Sequence, residues 1–175
     1  MAEEKKEKWL NYLSATTIII AVCATLSTFK GGGYSTRSLL NQTRASDQWA
    51  FFQAKGLKQY LYEIQVDNLE AQKDVLTNKD QLASVQKRIE GYKQKIQKYI
   101  TEKEQITKDA KDLETVRDEA KKHSDAFGLA VIFLQVSILL SSIAALLKKK
   151  PIWYLSMAIG AAGIAYFING FFLLF

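Results

Sequence analysis

The sequence predicts an all-α membrane protein: three transmembrane helices, with a long helical, coiled-coil-like hairpin inserted between the first and second. Three observations carry that expectation. Charge is absent from three long stretches, most of it falls in one block of 97 residues, and apolar residues in that block recur at alternating steps of three and four.

No Asp, Glu, Lys or Arg occurs between Lys8 and Lys30, between Asp125 and Lys148, or after Lys150. Those gaps hold 21, 22 and 25 residues, and about 20 apolar residues in a helix cross the hydrocarbon core of a bilayer. The expected order is a short tail (1–8), a first span (9–29), the polar insertion (30–126), a second span (127–147), a basic turn (148–151) and a third span (152–175). Lys5, Lys6 and Lys8 before an apolar run also suit a cleaved signal peptide. The run is long for that role, and no clean small-x-small site follows it, so a retained anchor is expected. "IAVCA" is a poor lipoprotein box because Val22 precedes Cys23. Cys23 is the only cysteine, so no internal disulfide can form, and mid-span it reads as a small packing residue.

Basic residues in short loops tend to stay in the cytoplasm. Three spans put the Lys5/Lys6/Lys8 tail and the Lys148–Lys150 turn on one side, which makes them cytoplasmic. The insertion and Phe175 then lie on the other face, periplasmic where the cell has a periplasm. The net charge of +6 suits anionic lipid. Opposite charges interleave through the insertion, so no nucleic-acid partner is expected.

Within the insertion the periodic series runs Leu82, Val85, Ile89, Tyr92, Ile96, Tyr99, Lys103, Ile106, Ala110, Leu113, Arg117, Ala120. Backwards it meets Asn78, Val75, Ala71, Asn68, Ile64, Leu61, Leu57, Ala54 and Ala50; 17 of the 21 positions are apolar, which is a coiled-coil signal. Both ends of the insertion are tied to the membrane, so the chain must go out and return. "LTNKDQL" offers the turn near 77–80, with Thr77 and Asp80 as capping residues. If Ser35 caps the outgoing helix, the two arms match at roughly 65 to 70 Å. Gly91 is a rival breakpoint that leaves the arms more unequal. "GGG" at 31–33 reads as a flexible joint. Leu82, Val85, Ile89, Tyr92, Ile96, Tyr99, Ile106 and Leu113 are the expected oligomer seam.

One stretch, "SDQWAFFQAKGLKQYLYEI" (46–64), sets a Trp and two Phe among polar residues. Trp49 and Gln53 are four apart and share a helical face beside Ala50 and Ala54. Asp47, Gln48, Trp49, Gln53, Ala54 and Lys55 form a candidate interaction box. Packing between helices near the hairpin base is its first reading. A lipid-surface contact and a ligand pocket are the others.

At this box "ASDQWAFFQAKGLKQYLYE", with the returning "IQKYITEKEQITKDAKDLE" and the flanking spans, resembles the bacterial domain-of-unknown-function family numbered 4337. The similarity covers nearly the whole chain and is most specific at Asp47-Gln48-Trp49-Ala50 and Gln53-Ala54-Lys55. It implies a bacterial three-span membrane protein with a helical insertion, and no reaction or substrate; with the topology above, the expected location is the inner membrane.

Groups for chemistry are sparse. His123 is the only histidine, and Glu119 one turn earlier completes at most half a metal site. An ordinary solvated pair is the simpler reading. "KGGGYST" lacks the Gly-Lys-Ser/Thr ending of a phosphate loop. No catalytic residue, metal or cofactor is expected. No ionisable residue falls inside a span, which argues against ion-coupled transport. Gln135 and Asn169 are candidate interhelical hydrogen-bonding groups. The small residues of "SMAIGAAGIAYFING", Gly160, Gly163 and Gly170 among them, permit close helix contact within one subunit or between two. The expected function is a non-enzymatic scaffold, or an accessory subunit of a larger complex, that self-associates through hairpin and spans. A pore-forming homo-oligomer lined by Thr16, Thr17, Gln135 and Ser142 is the alternative.

Overall fold

The computed structural model describes residues 8–175; Lys5 and Lys6, on which part of the charge argument rests, lie outside the described residues. Three α-helices account for nearly all of it: α1 (Lys8–Lys73), α2 (Lys79–Leu147) and α3 (Lys150–Phe172). No strand occurs among the described residues. Each helix contains a stretch long and apolar enough, by length and composition, to cross a membrane. Among the described residues, contacts form two compact units, one taking in residues 8–39 and 117–175, the other Leu40–Val116.

The "GGG" stretch is no joint, and Ser35 caps nothing, because α1 runs through both unbroken. Each glycine costs a helix about 1 kcal/mol relative to Ala, so packing must compensate. Gly31 shows how. A Cβ there would lie 3.0 Å from Cβ of Phe127, a fully buried side chain of α2. Ser124 Oγ donates to the Gly31 carbonyl at 3.2 Å beside it. Glycine at 31 therefore lets the two helices approach.

α1 and α2 are joined by residues 74–78. Asn78, rather than Thr77 or Asp80, takes the capping role. Its Oδ1 accepts from the Asp80 N–H at 2.9 Å, and its carbonyl receives the Leu82 N–H at 3.0 Å. Asp80 adds negative charge to the first turn, where the helix dipole favours it. Between α2 and α3 only two residues intervene. Lys148 has φ 51° and Lys149 is extended, after which Pro151 opens α3 in the first turn, where its missing N–H is harmless.

In the first unit α1, α2 and α3 pack around Ile20, Ala24, Ala130 and Leu134, with Cys23, Ile138, Ile164, Tyr166 and Phe167 against them. A second cluster joins Trp9, Leu13 and Ala144 to Ile152 and Trp153. The second unit centres on Val66, Leu69 and Ile89, with Val85, Tyr92 and Ile96 packed against them.

Candidate functional site

In the Leu40–Val116 unit the face that α1 turns to α2 runs Ala45, Gln48, Phe52, Lys55, Gln59, Tyr62, Val66, Leu69, all buried or half-buried. The steps alternate three and four, so this is one seam. It is offset by two residues, about 200° around the helix, from the series Ala50–Ala71 expected there, whose members are exposed. The α2 series faces inward as a packing stripe: Ile89 is buried, and Leu82, Val85, Tyr92, Ile96, Tyr99, Ile106 and Leu113 are half-buried. Its best-packed members meet Val66 and Leu69 of the same chain.

Polar pairs hold this seam as much as apolar contact does. Trp49 Nε1 donates to Glu114 Oε1 at 2.9 Å, and its ring meets Phe52 edge-on at 5.7 Å. Lys55 Nζ sits 2.6 Å from Glu102 Oε2, and lies over the Tyr99 ring at 5.4 Å. Lys103 Nζ donates to Gln59 Oε1 at 3.3 Å and lies 4.7 Å over Phe52. Tyr62 stacks on Tyr99 at 5.9 Å and tilts against Tyr92 at 5.3 Å. Beyond them Lys93 pairs with Glu70, and Lys73 with Gln86. From Trp49 with Glu114 to Lys73 with Gln86, the partner number on α2 falls overall as the α1 number rises. Electrostatics follow the pairs. The Lys55 ammonium, hydrogen-bonded to Glu102 and helped by Lys98, holds that carboxyl below the usual carboxylate range. The Tyr62 hydroxyl beside Lys95 raises that ammonium.

The box is thus two faces, not one site. Gln48, Trp49 and Lys55 are half-buried toward α2, whereas Asp47, Gln53 and Ala54 are exposed, as is Phe51. Asp47, Ala50, Phe51 and Ala54 line only a shallow open hollow.

In the other unit, the glycines of α3 mark close approach. A Cβ on Gly160 would lie 2.8 Å from Ser137 Oγ and 2.9 Å from Ile20 Cδ1; one on Gly163, 2.8 Å from Leu134; one on Gly170, 2.7 Å from the Phe127 ring. The small-residue ladder therefore packs within the chain. Three hydroxyls that sequence reasoning did not join complete it. Ser137 Oγ donates to the Ser156 carbonyl at 2.8 Å, Ser156 Oγ lies within donating distance of the Ser137 carbonyl at 2.9 Å, and Ser141 Oγ is 2.6 Å from Ser156 Oγ. The signal was present as Ser at i, i+4 on one helix opposite the Ser156/Gly160 pair on the next. Asn169 is no interhelical group: its amide donates to the Phe175 carbonyl at 2.8 Å and accepts from the Phe175 N–H at 3.0 Å. Gln135 is exposed on α2.

His123 stacks on Tyr34 at 4.5 Å and its Nδ1 lies 2.8 Å from the Gly170 carbonyl, to which it must donate. Glu119 beside it is exposed. Among the described residues no three His, Cys, Asp or Glu side chains gather as metal ligands would. What the two clusters can do, on this geometry, is hold helices together.

No curated protein and no solved structure matches the chain. Residues 9–173 match the model of the family described as Domain of unknown function (DUF4337), and the chain belongs to that family.

Proposed function

We propose that the protein is a three-span integral membrane protein with its polar unit outside the bilayer as a helical hairpin, and that it serves as a self-associating, non-enzymatic scaffold or accessory subunit. One observation carries the reading: the first unit is built inside out relative to a protein in water. Its core is Ala, Gly and Ser with a few larger residues, while Ile18, Ile19, Val22, Phe29, Ile132, Leu139, Leu146 and Phe172 are among those exposed. An apolar surface of that extent in water drives association; in lipid it is solvated. Aromatic residues also gather at both ends, Trp9 and Trp153 with Tyr154 near the lysine turn and Tyr34 with His123 and Phe127 at the other. Trp9 and Tyr34 are separated by about 37 Å of helix rise, which suits the two interfaces of a bilayer.

The scaffold part of the reading draws on how polar groups are used. Ser27, Ser137, Ser141, Ser156 and Asn169, buried in this unit, all hydrogen-bond to the protein itself. Thr16, Thr17 and Ser142, counted among pore liners, bond their own helix backbone. The exposed Gln135 amide, in a charge-free stretch, favours a contact with a further helix, because an amide facing hydrocarbon lacks partners.

Topology is the test. In a Cys23→Ala background, Thr77→Cys and Lys149→Cys should react with an impermeant thiol reagent from opposite sides of the membrane, Lys149→Cys from the cytoplasm. Thr77 is chosen because it is exposed and spares the capping Asn78. Reaction of both from one side breaks the three-span reading; ion flux through protein-loaded liposomes transfers the function to a pore.

A further inference from the structure

The α1 helix carries two seams, and only one is used within the chain. On the side away from α2, Ala50, Ala54, Leu57, Leu61, Ile64, Asn68 and Ala71 follow each other at steps of four and three, all exposed. Leu57 is 61% exposed, Leu61 53% and Ile64 36%. Phe51 and Tyr60 widen the strip at 59% and 60% exposure. This series is also richer in apolar residues than the occupied seam, which seats Gln48, Lys55 and Gln59. Three heptads, about 32 Å of helix, run along a unit whose other surfaces are charged.

We propose that this stripe pairs with the same stripe of a second copy of the chain, parallel and in register, as a two-stranded coiled coil. The inference rests on the self-association reading above and names its surface. The spacing selects a helix as partner, because steps of three and four are met by knobs-into-holes packing along another helix. The alanines at 50, 54 and 71 allow close backbone approach.

Asn68 selects which helix, and which way it runs. With three residues from the a position to d, the a positions are Ala54, Leu61 and Asn68, and the d positions are Ala50, Leu57, Ile64 and Ala71. An antiparallel partner sets a against d, and every d residue is apolar, so the Asn68 amide would be left without a hydrogen bond. A parallel partner shifted by a heptad sets Asn68 against Leu61. Only the parallel, unshifted pair places Asn68 against its own counterpart, where the two amides bond each other. A single Asn at an a position is known to fix register and copy number in this way. The flanking residues agree. In that register Gln53 meets Lys58, Tyr60 meets Gln65 and Asp67 meets Gln72 of the second copy, with no like charges opposed. Two copies anchored in one membrane also run the same way.

Two measurements test this on the full chain. In native membranes, Leu61→Cys in the Cys23→Ala background, at an a position that leaves Asn68 in place, should form an intermolecular disulfide on mild oxidation, and Lys58→Cys, at a flanking position, should cross-link far less. In mild detergent, Leu57→Asp with Leu61→Asp should halve the protein mass. Both sites are exposed, so helicity should be unchanged. A wild-type chain that is itself monomeric overturns the self-association reading and this surface with it. A wild-type dimer that keeps its mass in the double variant, or that does not cross-link at 61, overturns this surface alone.

Discussion

The two units pack helices by opposite means. Around Ile20 and Leu134 the helices meet through Gly160, Gly163 and Gly170 and through three buried serines. Around Val66 and Ile89 they meet through aromatic rings, aliphatic side chains and ion pairs, and the one glycine near the seam, Gly56, faces only the Lys103 side chain, 3.7 Å from where its Cβ would be. The difference follows from the solvent each unit is proposed to face. In water, large apolar side chains gain about 25 cal/mol per Å² by turning inward. In lipid that gain is absent, so close backbone approach and hydroxyl hydrogen bonds take over. The same spacing of three and four residues thus serves two chemistries.

The sharpest way to break the comparison is to enlarge a glycine in the first unit. Gly163→Val places a methyl-bearing Cβ 2.8 Å from the Leu134 side chain and 3.0 Å from its backbone nitrogen, which cannot rotate away. Overpacking of this kind costs about 1 to 3 kcal/mol and more where backbone must move, so the upper end applies. Gly32→Ala is the control: nothing lies within 4 Å of the added carbon, and the helix gains up to about 1 kcal/mol. Thermal unfolding in detergent should separate the two variants by several degrees in opposite directions. Equal melting would mean that the glycines are not what brings α3 to α2.

In the second unit, the corresponding change removes a large ring. Trp49→Ala should cost roughly 2 to 4 kcal/mol, below the full range for a buried Trp because the ring is half-buried. Trp49→Phe keeps the edge contact with Phe52 and loses only the Nε1 bond to Glu114, about 1 kcal/mol or somewhat more for an acceptor that is charged. Urea unfolding at neutral pH reads both. If Glu114→Gln lowers stability in a Trp49→Phe background as much as in the wild type, the two groups are not coupled.

Helices α1 to α3 were legible because their apolar stretches are long and uninterrupted by charge, and the inward stripe of α2 because its positions from Leu82 to Leu113 are apolar but for Lys103. The inward stripe of α1 was not. Its seats at Gln48, Lys55 and Gln59 are polar; Lys55 meets Glu102 and Gln59 meets Lys103, whose proximity no local pattern reveals. The stripe on the other side of α1 is the more apolar one, and apolar spacing alone points to it. Gly31 misled for a related reason. Glycine in a sequence signals freedom, whereas here it answers to the bulk of Phe127, nearly a hundred residues away. Asn169 was sought across helices and instead bonds the backbone six residues ahead. The box at 47–55 dissolved because successive residues on a helix point 100° apart, so a compact string of letters became two surfaces.

The smallest expected effect concerns the ion pair that most separates the two units, Lys55 with Glu102. Both side chains are about 30% exposed, so solvent screens the pair and its contribution is modest. Its direction is nonetheless determined. The Lys55 hydrogen bond lowers the Glu102 pKa in the folded chain. Unfolded, the carboxyl titrates near its usual value of about 4.3. The folded state therefore binds that proton less readily, and the stabilisation is full above the unfolded pKa and fades as pH falls through the folded one. Lys55→Met keeps the stem over Tyr99 and removes the charge. At pH 7 it should lower stability slightly, and the gap to the wild type should narrow as pH falls toward 3. The difference between them should also shrink in high salt. A gap that stays constant from pH 7 to pH 3 would mean that Lys55 holds the seam through its stem on Tyr99 and not through Glu102, bringing the second unit closer to the charge-free packing of the first.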